Sequence, residues 1–248
     1  MAAIRTEDVT KTYGDLRALD GLDLEVESGE LFGLLGPNGA GKTTTISVLT
    51  GQLEPDSGTA EVLGSDPVSD PIETRRRVGI LPEQETPPSF LTPREYFSFV
   101  GEVRGLERPV VEARVEAWTD RLGLDGTLDT LNTDLSRGQQ QKTMITAAFL
   151  HEPDLVFIDE PLANLDPMVQ ESVKRFLVEY REAGNTVFLS THHIEVAEEV
   201  CTRVGFVNNG RLVATRDPST LPAGESLLDA FLTTVEGVDD AELAASPV

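Results

Sequence analysis

Apolar and polar residues alternate along IRTEDV and again along LRALDGLDLEVESGE, and this period of two predicts strands on either side of a turn. The compact apolar run Leu31–Leu35 reads as a further strand. It leads through GPNGAGKT into TTISVLTGQL, whose helical spacing meets no breaker until Gly51. GTAEVLG and RRRVGILP predict two more short strands. From about residue 87 to residue 150 the pattern turns helical, most clearly in LTPREYFSFVGEVRGL and RPVVEARVEAWTDRLGL. Leu155–Asp159 is apolar up to its terminal acid, as expected of a strand in a parallel sheet covered on both faces. A helix over MVQESVKRFLVEYREAG, a strand over NTVFLSTHH and a helix through HIEVAEEV follow. VGFVNNGRLVA predicts a hairpin turning at Asn209-Gly210. The expected fold class is therefore α/β, with a mostly parallel sheet, an N-terminal antiparallel β subdomain and a helical subdomain inserted at about 87–150. One domain is expected over 1–222. The remainder, 223–248, is acidic and small, with one amphipathic patch, SLLDAFL, and its last ten residues are expected to be loose.

Charge changes this ordinary picture. Asp and Glu total 43 against 20 Lys and Arg, a net charge of −23 and a pI near 4.4. The lysines are only Lys11, Lys42, Lys142 and Lys174. Such a balance disfavours nucleic acid and anionic lipid as direct partners, since both are polyanions. The acids are spread along the whole chain, and a dense acidic surface suits a salt-rich cytosol in which repulsion is screened within a few ångström. A halophilic source is the expectation. No apolar run reaches the length of a bilayer span, and MAAIRTEDVTKTYG lacks the apolar stretch of a secretory signal, so a cytosolic location is expected. The single cysteine, Cys201, excludes an internal disulfide framework and a cysteine-based zinc site.

Gly36-Pro37-Asn38-Gly39-Ala40-Gly41-Lys42-Thr43 matches G-x-x-x-x-G-K-[ST], followed by Thr44. Glycines let the backbone wrap a phosphate chain with its N–H groups, and the following helix start adds a positive dipole end. In this reading Lys42 reaches the β- and γ-phosphates and the Thr43 hydroxyl ligates Mg²⁺. Asp159-Glu160 closes the apolar strand LVFIDE. Acids at a strand end are often no more than solvated charge. Downstream of a phosphate loop, however, Asp159 is placed to hold the metal and Glu160 to polarise the attacking water.

With these residues in place, the chain resembles an ABC-type ATPase over essentially its whole length, to about residue 220. What separates that family from other phosphate-loop enzymes is a segment similar to LSGGQ. Here it reads Leu135-Ser136-Arg137-Gly138-Gln139, with Arg137 lying 18 positions before Leu155. Ser136 is a capping side chain at a helix start. The resemblance implies that Ser136, Gly138 and Gln139 meet the γ-phosphate of ATP held by a second subunit, so that a dimer, most simply a homodimer, has composite sites. It further implies that Tyr13 stacks on adenine, that Asn164-Leu165-Asp166 crosses the dimer interface, and that His192 contacts the γ-phosphate. His193 is then a bystander, although a one-residue register change would exchange the two. His151 is read as a capping or packing residue.

Two departures from the family pattern stand out. Arg137 occupies the place of the signature's first glycine. The metal-sensing loop after GILP usually begins with glutamine, whereas here Glu83 comes first and Gln84 second, leaving either as the occupant. The resemblance implies ATP and Mg²⁺ as ligands, and a separate membrane permease that this cytosolic-face motor drives. GILPEQ, LTPREYFSFVGEVRGL and LSRGQQQK look most similar to cassettes serving export-type permeases. A soluble ABC protein acting on DNA or ribosomes fits the −23 charge poorly. A kinase or GTPase would lack both LSRGQ and STH.

Overall fold

In a computed structural model of the chain, residues 1–83, 86–162, 165–222 and 224–234 are described. Nine strands are named among them: β1 (Ala2–Tyr13), β2 (Leu16–Glu27), β3 (Leu31–Leu35), β4 (Ser57–Val62), β5 (Val78–Leu81), β6 (Leu155–Asp159), β7 (Thr186–Thr191), β8 (Arg203–Asn208) and β9 (Arg211–Arg216). The helices are α1 (Lys42–Leu49), α2 (Pro71–Arg77), α3 (Pro93–Val103), α4 (Arg108–Leu122), α5 (Arg137–Phe149), α6 (Pro167–Glu182), α7 (Ile194–Val200) and a last one, α8, over 227–234.

The strands form two sheets. The antiparallel one runs β2-β1-β4, and the larger runs β5-β6-β7-β3-β8-β9, parallel except for the β8–β9 hairpin. Strand pleat explains how the second sheet is covered. Leu31, Leu35, Val156, Ile158, Val187 and Leu189 face one side, where Met144, Phe149, Val173 and Leu177 of α5 and α6 close over them. Phe32, Leu34, Leu155, Phe157 and Phe188 face the other, against Ile4, Leu22 and Leu24 of the antiparallel sheet and Ile46 of α1. Every residue of β3, β6 and β7 is buried. That is why Leu31–Leu35, Leu155–Ile158 and Val187–Leu189 are apolar without alternation.

The helical insertion has a small core of its own, where Phe97, Val111 and Val115 meet Ala147 and Leu150. Thr92 starts α3 and Ser136 starts α5, each with a reciprocal capping box to the residue three positions on, Glu95 and Gln139. None of the described helices is long and apolar enough to cross a membrane.

One sequence expectation is corrected. RRRVGILP is not all strand, because Arg75–Arg77 complete the short helix α2 and the strand begins at Val78. Asp70 accepts from the backbone of Glu73, Pro71 opens the helix, and three arginines sit at its negative end. These end effects keep Arg75–Arg77 in the helix and leave the apolar Val78–Leu81 as the strand. The extension also begins as packed structure. In α8, Leu227 and Ala230 are buried, and Phe231 meets Phe206 edge-on at 5.3 Å. The last ten residues lie outside the described ones.

Candidate active site

The site is set by strand register. β7 lies between β6 and β3, and all three run parallel, with Leu35 beside Thr191 and Asp159 beside Ser190. Their carboxyl ends therefore finish level, opening the kind of crevice in which α/β sheets hold ligands. Beside β6, the end of β5 delivers Glu83 to the same edge. A cavity of ≈ 430 Å³ sits there, lined by Tyr13, Leu16 and Ala18, the loop-and-helix residues 38, 39 and 41–44, and Glu83, Asp159, Glu160 and His192.

The loop that leaves β3 is tightly held. A Cβ on Gly36 would come within 2.3 Å of the Val207 carbonyl oxygen. Gly41 has φ +105, and a Cβ there would lie 2.6 Å from the Ala18 oxygen. The β8–β9 turn braces the loop from behind, the N–H of Gly210 donating to the Ala40 oxygen at 3.0 Å. Thr45 N donates to the Gly41 oxygen at 2.8 Å and begins the helical ladder. The first-turn N–H groups of α1 before it have no partner within the helix, which makes this end an anion-binding surface.

Lys42 is only 8% exposed, and its Nζ donates to the Gly36 oxygen at 2.8 Å and the Pro37 oxygen at 3.2 Å. Burial holds its ammonium below the usual lysine range, opposed by the negative charges of Glu160, Asp159 and Glu83. Thr43 donates from Oγ1 to Asp159 Oδ2 at 2.8 Å. Glu160, with φ +51, is turned the other way. Its carboxylate accepts from Thr191 Oγ1 at 3.0 Å and from the backbone N of His192 at 2.8 Å. His192 Nδ1 lies 2.6 Å from the same carboxylate, donating in the Nδ1–H tautomer. Of the two histidines, it is His192 that lines the cavity. His193, at the start of α7, makes no side-chain hydrogen bond to a described residue, and its ring lies beside that of His192.

The other residues singled out from sequence divide into three groups. Gly36, Pro37 and Ala40 belong to the loop but do not line the cavity; Gly36 and Pro37 supply the carbonyls that hold Lys42. Ser136, Gly138 and Gln139 do not line it either, and Ser136 and Gln139 are engaged with each other at the start of α5. Gln84 and Asn164 lie outside the described residues, while Asp166 caps α6 by accepting from Val169 N at 3.1 Å. Sequence reasoning missed Thr191, whose hydroxyl holds Glu160. Its only signal was its position one residue before the histidine.

The donor chemistry fits a nucleotide with a hard divalent cation. One ammonium faces three carboxylates in the lining, so a polyphosphate meets a net negative wall unless a cation enters with it. The touching hydroxyl and carboxylate of Thr43 and Asp159 are the oxygen donors that Mg²⁺ takes.

Fold and site together define a phosphate-loop nucleotide-binding protein of the cassette type. The ABC transporter family matches the chain over residues 19–163. The daunorubicin/doxorubicin resistance ATP-binding protein of Streptomyces peucetius is 37% identical over 86% of this chain. The match spans 64% of that longer relative. The Nod factor export ATP-binding protein I of Paraburkholderia xenovorans is 35% identical over 90% of this chain and 74% of its own length. A solved ATP-binding subunit of an ABC transporter superposes with a TM-score of 0.87 at 30% identity, covering 94% of this chain and 99% of that one. The chain belongs to the ABC transporter family, as an ATP-binding subunit with the ATPase fold.

Proposed function

We propose that this subunit binds and hydrolyses ATP in a sandwich of two identical chains and drives export through a separate membrane permease. The observation behind this reading is the convergence of Lys42, the Thr43–Asp159 pair and the Glu160–His192 pair on one cavity. Tyr13, exposed beside Leu16, takes the adenine, and residues 36–44 take the phosphates. Thr43 and Asp159, with Glu83 or Gln84, hold Mg²⁺, which when bound neutralises charge on the phosphate oxygens. Lys42 exchanges its loop carbonyl partners for phosphate oxygens. Glu160 orients a water and accepts its proton as the water oxygen bonds to the γ-phosphorus. The bond from that phosphorus to the bridging oxygen breaks, and ADP and phosphate result. His192 steadies Glu160 and the γ-phosphate. Ser136, Gly138 and Gln139 of a second chain close over the nucleotide, so that hydrolysis, by adding charge repulsion, opens the pair.

Two features favour a membrane partner. The helical insertion has an apolar groove lined by Tyr96, Phe99, Val103 and Met144, with Phe99 and Val103 exposed. The relatives named above are, by their names, resistance and export proteins. On this reading the protein works at the inner face of the cell membrane, and its acidic surface fits a salt-rich cytosol. Affinity-tagged chain purified from gently solubilised membranes is expected to bring down a polytopic membrane protein. Recovery of ribosomes or DNA in its place overturns the transporter reading.

A further inference from the structure

We propose that Glu160, His192 and His193 form a binding site for a borderline-soft divalent cation of the Zn²⁺ class, separate from the hard-cation site, and that its occupancy arrests hydrolysis. Among the described residues, these are the only three His, Cys, Asp or Glu side chains whose ligand atoms all lie within 4.8 Å of one another. Zn²⁺ with imidazole and carboxylate ligands has bonds of about 2.0–2.2 Å, which place ligand atoms roughly 3.3 Å apart in a tetrahedron. The 2.6 Å contact between His192 Nδ1 and Glu160 must open slightly, and the third ligand, within 4.8 Å of the other two, must close by at most about 1.5 Å. Both rings are on the exposed side of the cluster, His192 giving up its proton on Nδ1 to ligate, while Glu160 is buried.

His193 is the decisive member. Its backbone N donates to Thr191 Oγ1 at 3.1 Å, so the main chain is anchored without its side chain. That side chain does not cap α7 and makes no hydrogen bond to a described residue, and its ring centroid lies 4.1 Å from that of His192. Two imidazoles beside one carboxylate select Zn²⁺ over Mg²⁺, which prefers the hydroxyl and carboxylate of Thr43 and Asp159. Three protein ligands leave a fourth position for water. A cation held there takes the lone pairs through which Glu160 accepts a proton. The arrest therefore rests on the role given to Glu160 above; the binding does not.

The test uses the full chain without nucleotide, titrated with Zn²⁺ alone by calorimetry, with Co²⁺ as a coloured stand-in whose visible bands report tetrahedral nitrogen and oxygen ligation. One equivalent is expected to bind. His193→Ala, and His193→Gln as a second variant in case the first is misfolded, are expected to weaken binding by more than the ~10–100-fold that loss of a mere outer-shell partner brings, while retaining ATP turnover. Zn²⁺ added to excess ATP·Mg²⁺ is expected to inhibit the parent and spare both variants. Equal Zn²⁺ binding by parent and variants overturns the site, and points to the cation sitting at Thr43 and Asp159. Binding that His193→Ala abolishes, without inhibition of the parent, upholds the site and overturns the assignment of Glu160 as proton acceptor.

Discussion

Substituting Gln for Glu160 keeps the size of the side chain and removes its charge and its capacity to accept a proton. The carbonyl oxygen of the amide can still accept from His192 N, and Thr191 can reverse its hydroxyl to accept from the new NH2 group. The fold should lose no more than about 1 kcal/mol, the worth of an ordinary hydrogen bond. Nucleotide binding should hold or strengthen, because one of the three carboxylates facing the phosphates becomes neutral. Turnover should collapse. Loss of a positioned general base costs roughly 10²–10⁴-fold, or about 3–5 kcal/mol of barrier. Single-turnover phosphate release with saturating ATP·Mg²⁺ measures the loss, and size exclusion in the same buffer should show an accumulated ATP-held dimer. Turnover within about threefold of the parent would refute the role of Glu160, that being far less than removal of a base produces. A variant that hydrolyses poorly yet stays monomeric would leave the base intact and remove the sandwich.

Two further outcomes are expected. His151 donates from Nε2 to the Val78 oxygen at 3.1 Å, and burial, with Arg104 nearby, lowers its pKa from 6.5 to about 4. Between those values the unfolded chain binds the extra proton, so this contribution is whole above about pH 6.5 and fades as pH falls toward 4. The ring is partly exposed, which reduces the effect to about 1–2 kcal/mol. Urea titrations at pH 7 and pH 4.5 should show the parent losing that much more stability than His151→Gln, and equal losses would remove the argument. Raising KCl from ~0.1 M to ~2 M should raise the melting temperature of this −23 chain by screening its self-repulsion. An unchanged melting temperature and activity would count against adaptation to salt.

The parts of the fold that could be read in the sequence were those where one local rule dominates. Leu31–Leu35 and Leu155–Asp159 are apolar because both faces of their strands are covered, and that leaves few alternatives to a central parallel strand. The phosphate loop was legible because Gly41 needs its positive φ and Gly36 its close approach to Val207. Arg75–Arg77 were misread as strand because they run straight into the apolar Val78–Leu81, while the cap at Asp70 that places them in a helix lies five residues upstream. Thr191 was not legible at all, and the two histidines were told apart only by the resemblance, which assigned His192. The role of Thr191 depends on how β6 and β7 align, which is a contact between residues 31 positions apart. Ser136 and Gln139 were found as a helix start, and their capping box agrees.

Asp159 and Glu160 are neighbours with nearly the same chemistry, yet one meets Thr43 and the other Thr191 and His192. Nothing in their acidity assigns those separate partners. Asp159 is the last residue of β6, and Glu160, with its left-handed backbone, lies just past the strand's end, so each carboxylate reaches its own partners within one cavity. Their division of labour is conformational rather than chemical. Inverting their order would leave composition, charge and length untouched and deprive both acids of their partners, so the two positions are not interchangeable even though their functional groups are.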